Sequence, residues 1–499
     1  MPQRLGILVK RFCVRTESSG CLGREFLFPS SPGPDQPTSK NMPHDLFPLP
    51  LTPFEFYYWC DDRPEYPTTY PVELVFRGVL QRESLQKALQ LAVERHPLLC
   101  AHVDPTAGKL PAWVSAKGQL PLLDWADLSK PIDYQPHRFI DLAQSVGLRI
   151  WVRASNQQSR LVLQFHHACC DAIGAFQFIE DLLVIYDAVV SSSDSESRLR
   201  PLDPQRLCVR GDYGLKESGY QPTLGDAWRT ARFWARRLLF RPAQLAAPPH
   251  VDAEPVSPEA ELGYLTVTFS KEELHQIRAA AALCDASIND LLLRDLLLTL
   301  HTWNTAQSAS AKRWVVNVPV NLRSHGDQQM PVTNLLGYWF LERKPGDLVA
   351  HEELLCGIRD EMKVVRKYRL PLFFIGGLGY ASRFPGIMRR LLRSRHTFAT
   401  VVLSNVGRML PRTPLPRQNR KLICGGAVLE RITGIPPIRP GTRVAVAFGY
   451  YAGETYVVLQ WDPHTFDYAG AEQLLEAYVE RLRKSAAMSA VNSRHNPAE

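Results

Sequence analysis

An α+β protein of two lobes, each a mixed sheet packed with helices, is the fold class that the sequence predicts. Three observations lead to it. Segments with the two-residue period of strands alternate with helix-period segments through both halves of the chain. Two polar Ser- and Pro-rich stretches, residues 191–205 and 246–261, bracket a basic helical segment at 224–240 and mark a crossover between lobes. The 499 residues are 45% hydrophobic and 22% charged, which supplies apolar surface for two sizeable cores.

Residues 1–44 are rich in Ser, Pro and Gly, lack periodicity, and are expected to be a disordered extension. Met42 opens a segment of different character and reads equally well as the initiator. The first lobe is expected over 45–200. Residues 70–76 are β-branched and aromatic and predict a strand. Residues 84–96 predict a helix with Leu85, Ala88, Leu89, Ala92 and Val93 on one face, stopped by Pro97. Residues 148–154 and 160–165 predict strands, and 171–190 a largely buried helix. The crossover is expected over 201–260 and the second lobe over 261–486. There, 262–269 predicts a strand, and Ser270 and Glu273 have capping-box spacing before a helix. A long apolar helix follows at 287–303, strands at 313–320, 397–404, 443–451 and 455–461, and an amphipathic helix at 469–485. Residues 487–499 are expected to be a disordered tail.

The net charge of +8 is mild, and no nucleic-acid partner is expected. No run of eighteen apolar residues predicts a membrane span, and the apolar run at residues 5–9 is too short for a signal-peptide core. The ten cysteines are scattered without a CxxC pair, which reads as reduced thiols in a cytoplasm. A monomer is expected.

The chemistry concentrates in residues 161–180, LVLQFHHACCDAIGAFQFIE. An apolar strand ends in His166 and His167, and Asp171 follows ahead of a helix. Four readings fit the pattern. An imidazole at a strand end can act as a general base near neutral pH. His and Asp can ligate a metal, but no HExxH or CxxC supplies the remaining ligands, and no metal is expected. Cys169 or Cys170 could be a nucleophile, although neighbours on one loop seldom align with their base. Buried, hydrogen-bonded histidines are the structural reading, preferred for His166 but not for His167.

HHACCDA resembles the HHxxxDG motif of the condensation-domain superfamily of acyltransferases, which have the chloramphenicol acetyltransferase-like fold. Arg95-His96-Pro97-Leu98-Leu99 looks like the family's RHPxL segment. Ser287-Ile288-Asn289-Asp290-Leu291 resembles its T-x-N-D helix start, and Pro319-Val320-Asn321-Leu322-Arg323 its P-V-N-x-R strand end. Asn334 and Gly337 resemble the following N-x-x-G turn, and Ser404-Asn405-Val406-Gly407 the S-N-x-G segment of alcohol acetyltransferases and wax ester synthases. Polyketide-associated acyltransferases are a third near branch. The order and spacing of these segments over about residues 45–485 carry the resemblance. The chain departs from the pattern in having Ala172 in place of the motif glycine, and in lacking DFGWG, where it has Phe448-Gly449-Tyr450-Tyr451; the latter argues against the plant-type branch.

The resemblance implies an active-site channel between the lobes, with His167 as the base. The acceptor would enter from one face and a thioester, acyl-CoA or carrier-bound phosphopantetheine, from the other. No acyl-enzyme would form, and no bound cofactor is implied. Asp171 would pair with an arginine, Arg323 being the candidate, and His166 would be structural. Ser404 and Asn405 are the polar candidates for an oxyanion donor, or else close a strand-end turn; Asn321 is a further channel candidate. The acceptor would be a small molecule or lipid bearing a hydroxyl or amine. No fused carrier or adenylation segment is recognised, so the donor is expected from outside, an acyl carrier protein included. The alternatives are a standalone peptide-forming condensation protein and a catalytically silent scaffold that binds an acyl carrier or lipid.

Two arginine-rich segments complete the reading. On a helical wheel of 224–240, Ala227, Trp228, Ala231, Trp234, Ala235 and Leu238 share one face, opposite Arg229, Arg232 and Arg236. The second runs from Arg383 to Arg395. Such faces suit an anionic membrane surface, which would make the protein peripheral at the inner membrane, or an anionic carrier or CoA phosphates. They equally suit a solvated helix that packs its tryptophans on the body.

Overall fold

The computed structural model describes residues 46–495, apart from 109, 135–137, 217–218, 220–222, 249–261 and 394–396. The disordered extension expected over 1–44, and the choice between Met1 and Met42, lie outside the described residues. In chain order the strands are β1 Leu49–Pro50, β2 Thr69–Arg77, β3 Ala101–Asp104, β4 Ala112–Ser115, β5 Leu122–Asp127, β6 Leu148–Ala154, β7 Gln158–His166, β8 Tyr264–Phe269, β9 Trp314–Asn321, β10 Leu336–Arg343, β11 Val401–Arg408, β12 Arg417–Gln418, β13 Lys421–Cys424, β14 Ala427–Gly434, β15 Val444–Tyr451 and β16 Glu454–Trp461. The helices are α1 Pro53–Asp61, α2 Arg82–Arg95, α3 Ala172–Ser191, α4 Leu224–Leu239, α5 Lys271–Ala282, α6 Ile288–Ala306, α7 His351–Lys367, α8 Leu372–Ala381, α9 Pro385–Arg393 and α10 Tyr468–His495.

Two mixed sheets form the two lobes. The first has strand order β12-β13-β14-β2-β7-β6-β5 and the second β10-β9-β11-β15-β16-β8. A small β1-β4-β3 sheet sits beside the first. In the second sheet β11 runs parallel to both of its neighbours, β9 and β15, while the other pairs are antiparallel. The two-lobed α+β architecture expected from the sequence is therefore present, with one correction to the boundaries. Residues 417–434, placed by sequence in the second lobe, cross back and extend the first sheet, β14 pairing antiparallel with β2. Nothing local announces this, because a strand's partner is set by long-range pairing and its own residues fix only its period. A second correction concerns the tail: α10 runs through His495, so 487–495 is helical, and only 496–499 lies outside the described residues.

Local chemistry explains the elements that frame the site. Thr52 accepts from the Glu55 amide, and the Glu55 carboxylate accepts from the Thr52 amide, closing a capping box with Pro53 in the first turn of α1. Ser287 and Asp290 do the same for α6, which explains the SINDL pattern. The RHP segment ties α2 to α3: Arg95 and His96 both reach the Asp181 carboxylate, at 2.9 and 3.2 Å, and His96 Nδ1 accepts from the Val332 amide.

The basic helix α4 packs with a different face from the one its wheel suggests. Thr230, Phe233, Trp234 and Arg237 turn inward, Trp234 stacking on Phe374 of α8 at 5.1 Å and donating to the Phe373 carbonyl. Arg236 and Arg237 both pair with Glu342, and Arg229 pairs with Asp226. Trp228 is left 69% exposed, with Leu224 at 93% and Leu239 at 75%. Ion pairs to Glu342 of β10 and aromatic packing on Phe374 hold this orientation together, and the wheel contains neither partner.

Candidate active site

The β2–β7 ladder ends at the Thr69–His166 pair. Successive strand residues point to opposite faces, so His166 and His167 must diverge at this end. His166 turns into the lobe interior. Its Nδ1 accepts from the Ala168 amide at 3.1 Å, and its Nε2 lies 3.1 Å from Asp62 Oδ2. His167 turns toward the other lobe. Its amide donates to the Thr68 carbonyl at 2.7 Å, and Asn334 Nδ2 donates to the carbonyls of His167 (2.7 Å) and Ala168 (2.9 Å). The loop that carries the imidazole is thereby clamped from both lobes.

Asp171 caps α3, accepting from the Gly174 amide at 2.9 Å. It also takes both guanidinium nitrogens of Arg323, at 2.8 and 2.9 Å, and the Leu335 amide at 2.9 Å. Burial would raise its pKa; Arg323 and the two amides outweigh burial and hold the carboxyl below the usual carboxylate range. Ala172 is the first residue of α3 with ordinary helical backbone, so its methyl meets no left-handed strain. It lines the chamber in front of His167 instead.

That chamber measures about 90 Å³ and lies between the lobes. The first lobe contributes Tyr58, Thr68, Tyr70, His167 and Phe176, and the second Asn317, Tyr338 and Ser404. Burial lowers the His167 pKa to about 4, against the opposing pull of its own backbone carbonyl and of Asp171, so the ring is neutral at pH 7. The Tyr58 ring stacks on the imidazole, with centroids 4.2 Å apart and planes at 12°, and its hydroxyl is 3.4 Å from Nε2. The Tyr338 hydroxyl bonds to that of Tyr58. Burial pushes Tyr58 well above, and Tyr338 up to about 12, so both remain donors. Cys169 and Cys170 are buried and their thiols are pushed well up by burial, which removes the cysteine-nucleophile reading.

Three sequence candidates can now be sorted. Ser404 lines the chamber. Asn405, one residue on, faces the other way: its side chain meets Asn289 at 3.5 Å and accepts from the Gly407 amide at 3.0 Å, so it closes a turn. Asn321 is exposed at the end of β9, where its side chain accepts from the Arg323 amide at 3.0 Å. The β9 residues that line the chamber are Asn317 and Pro319, and Asn317 Oδ1 has no hydrogen-bond partner among the described residues. Sequence reasoning missed Asn317, Tyr58 and Tyr338. The Thr52-Pro53-x-Glu55 cap could have located α1, but nothing local assigns Tyr58 to His167, 109 residues away.

The family model of the condensation domain matches residues 64–340, more than half of the chain. Among curated proteins, Uncharacterized protein Rv2305 of Mycobacterium tuberculosis strain H37Rv is 25% identical over 326 residues, covering 63% of this chain and 72% of that protein. The fold is similar to that of the first condensation domain of the calcium-dependent antibiotic synthetase, with a TM-score of 0.62 at 17% identity, covering 88% of this chain and 96% of that one. The starter condensation domain of rhizomide synthetase RzmA, solved in complex with C8-CoA, gives 0.60 at 13% identity, covering 88% and 95%. The X-domain from teicoplanin biosynthesis gives 0.60 at 17%, covering 91% and 97%.

Proposed function

Because the chain belongs to the condensation-domain family, whose members are transferases, we propose that it moves an acyl group from a thioester to a hydroxyl or amine acceptor, with His167 as general base. One observation carries this reading: a neutral imidazole, clamped at a strand end, faces a chamber walled by both lobes. His167 Nε2 takes the acceptor's proton as the acceptor oxygen or nitrogen bonds to the thioester carbonyl carbon. The C–S bond of the resulting tetrahedral oxyanion then breaks, and the imidazolium returns the proton to the leaving thiolate. No acyl-enzyme is needed. Ser404 and Asn317, which line the chamber, are the candidates for the oxyanion donor. The Asp171–Arg323 pair holds the loop and takes no part in proton transfer. RzmA's complex with C8-CoA supports a CoA-type donor here, a carrier-bound thioester being the other source. The test is mass spectrometry of the products from a lysate offered acyl-CoA donors, with wild-type protein and with His167→Ala. Wild-type-dependent acylation lost in the variant is expected; equal products from both would overturn the mechanism.

A second reading draws on Tyr58. Its ring covers the imidazole, and a chamber of about 90 Å³ admits little more than water unless that ring moves. A silent protein that holds an acyl carrier or lipid would keep such a cover permanently. Opening of the chamber on substrate binding separates the two.

One surface of the protein favours a lipid acceptor. Helices α4 and α9 both pack against α8, and α8 and α9 pack against α1, which carries Tyr58. Together with Phe240 just past α4, they leave Leu224, Trp228, Leu239, Tyr380, Phe384 and Ile387 exposed. No carboxylate occurs from Arg383 through Arg393, where Arg389, Arg390 and Arg393 are exposed. Apolar side chains among arginines that have no ion pair among the described residues match an anionic membrane surface, and Arg232 adds to them.

A further inference from the structure

The cysteines are scattered along the chain, and the fold brings two of them together in the second lobe. Cys284 and Cys356 are both half-buried, and their thiols lie within hydrogen-bonding reach of each other. Among the described cysteines, Cys60, Cys169, Cys170 and Cys424 are buried, out of reach of a soluble oxidant.

Cys284 lies in the turn that ends α5. The amides of Cys284 and Ala286 donate to the Ala281 carbonyl, at 3.2 and 3.1 Å, and the Asp285 amide donates to the Ala282 carbonyl at 2.9 Å. Asp285 takes a φ of 51°, which closes the turn and fixes the place of Cys284. Cys356 lies on α7, where residues 356, 359 and 363 share one face at helical spacing. That face addresses the same turn throughout. Arg359 donates from Nη1 to the Cys284 carbonyl, and Lys363 pairs with Asp285 at 2.7 Å. The two polar ties hold α7 against the turn, and the thiols meet beside them.

We propose that Cys284 and Cys356 form a reversible redox site, which takes a soluble disulfide such as oxidised glutathione and closes to a disulfide tying the α5–α6 turn to α7. The site is independent of the acyl-transfer chemistry. Burial, and then the neighbouring thiol, push the Cys284 thiol up, so Cys356 is the first to attack. Its thiolate bonds to one sulfur of the oxidant, whose S–S bond breaks and releases one glutathione thiolate. The Cys284 thiolate then attacks the Cys356 sulfur of the mixed disulfide and releases the second glutathione. The two cysteine protons end on the two released thiols; the pair loses two electrons and the oxidant gains two. The cross-link joins elements that are distant in sequence, so it restricts the unfolded chain and stabilises the second lobe.

The test equilibrates the full chain with defined ratios of reduced to oxidised glutathione, traps free thiols by alkylation, and maps peptides by mass spectrometry. Wild type should lose two hydrogens to a Cys284–Cys356 cross-link, regain them with dithiothreitol, and melt several degrees higher when oxidised. Cys284→Ser and Cys356→Ser are first checked for cooperative unfolding, with the alanine variants in reserve. Cys284→Ser should accumulate glutathione on Cys356, because the resolving thiol is gone. Neither variant should gain in Tm on oxidation. The exposed Cys208 is the internal control for oxidant activity. A Cys284–Cys356 pair that stays reduced while Cys208 is glutathionylated overturns the proposal, as does a cross-link that leaves Tm unchanged.

Discussion

Asp171 and Arg323 meet through two parallel hydrogen bonds of 2.8 and 2.9 Å, joining the motif loop of the first lobe to the end of β9 in the second. The carboxylate is buried and also caps α3. It thus fixes the lobes to each other and the helix behind His167 in one contact set.

Asp171→Ala should lower thermal stability and activity together, by about 3–5 kcal/mol if the stranded guanidinium stays buried. Arg323→Ala should cost a similar amount, and the double variant less than the sum. Because the folded-state pKa of Asp171 is depressed, its contribution is fully present above the unfolded carboxylate value of about 3.9 and is lost as pH falls through the folded value. Denaturant melts from pH 7 down to pH 2 check this: wild type should lose stability below pH 4 more steeply than Asp171→Ala.

His167→Ala should reduce acyl transfer by about 10²–10⁴ while unfolding stays cooperative. The imidazole is depressed to about 4, so the free enzyme should hold its kcat/KM from pH 7 down toward 5 and lose it near 4. An acid limb near 6.5 would mean that the ring is solvated rather than buried. His166→Ala should act on stability, because it removes the imidazole that meets Asp62 Oδ2 and accepts from the Ala168 amide.

Ser404→Ala should lower kcat by about 10²–10³ if its hydroxyl meets the oxyanion. Asn405→Ala, on the opposite face of β11, should leave kcat near wild type and affect only the turn that it closes. Equal kcat effects from the two would remove Ser404 from the oxyanion role.

Tyr58→Phe keeps the ring over His167 but removes its hydroxyl from Nε2 and Tyr338. It should cost about 1–3 kcal/mol in stability, because the Tyr338 hydroxyl is left buried without its partner. Tyr58→Ala should open the chamber and lower the KM for bulky acceptors, read from acceptor series of increasing size. Unchanged acceptor preference would favour the scaffold reading.

Liposome flotation with anionic vesicles should show binding at low salt that fades at high salt. Replacing Trp228, Phe384 and Ile387 together by Glu should abolish it, since these side chains supply exposed apolar area without touching any ion pair described above. Wild-type protein that ignores anionic vesicles at low salt would point to a soluble acceptor.

The sequence by itself determined what depends on short-range periodicity and order. The run ending in His166 and His167, the capping Asp171 and the apolar helix after it were legible, because a strand's alternation and an N-cap are set within a few residues. The order of the resembling segments supplied the pairing partner Arg323, which composition alone could not. Only the tertiary structure decided who stands around the imidazole. Tyr338 reaches Tyr58 across 280 residues, Asn317 rather than Asn321 faces the chamber, and Asn405 turns away from it. The same holds for residues 417–434, whose strand character is local but whose place in the first sheet is set by β2, some 350 residues earlier. α4 shows the same: of the apolar stripe on its wheel Trp234 packs on Phe374, while Glu342 on β10 takes Arg236 and Arg237 and Trp228 stays in solvent. Side-chain direction at the end of a strand or on the face of a helix follows from the partner that arrives from elsewhere in the chain, and that partner is specified by packing, which no local window contains.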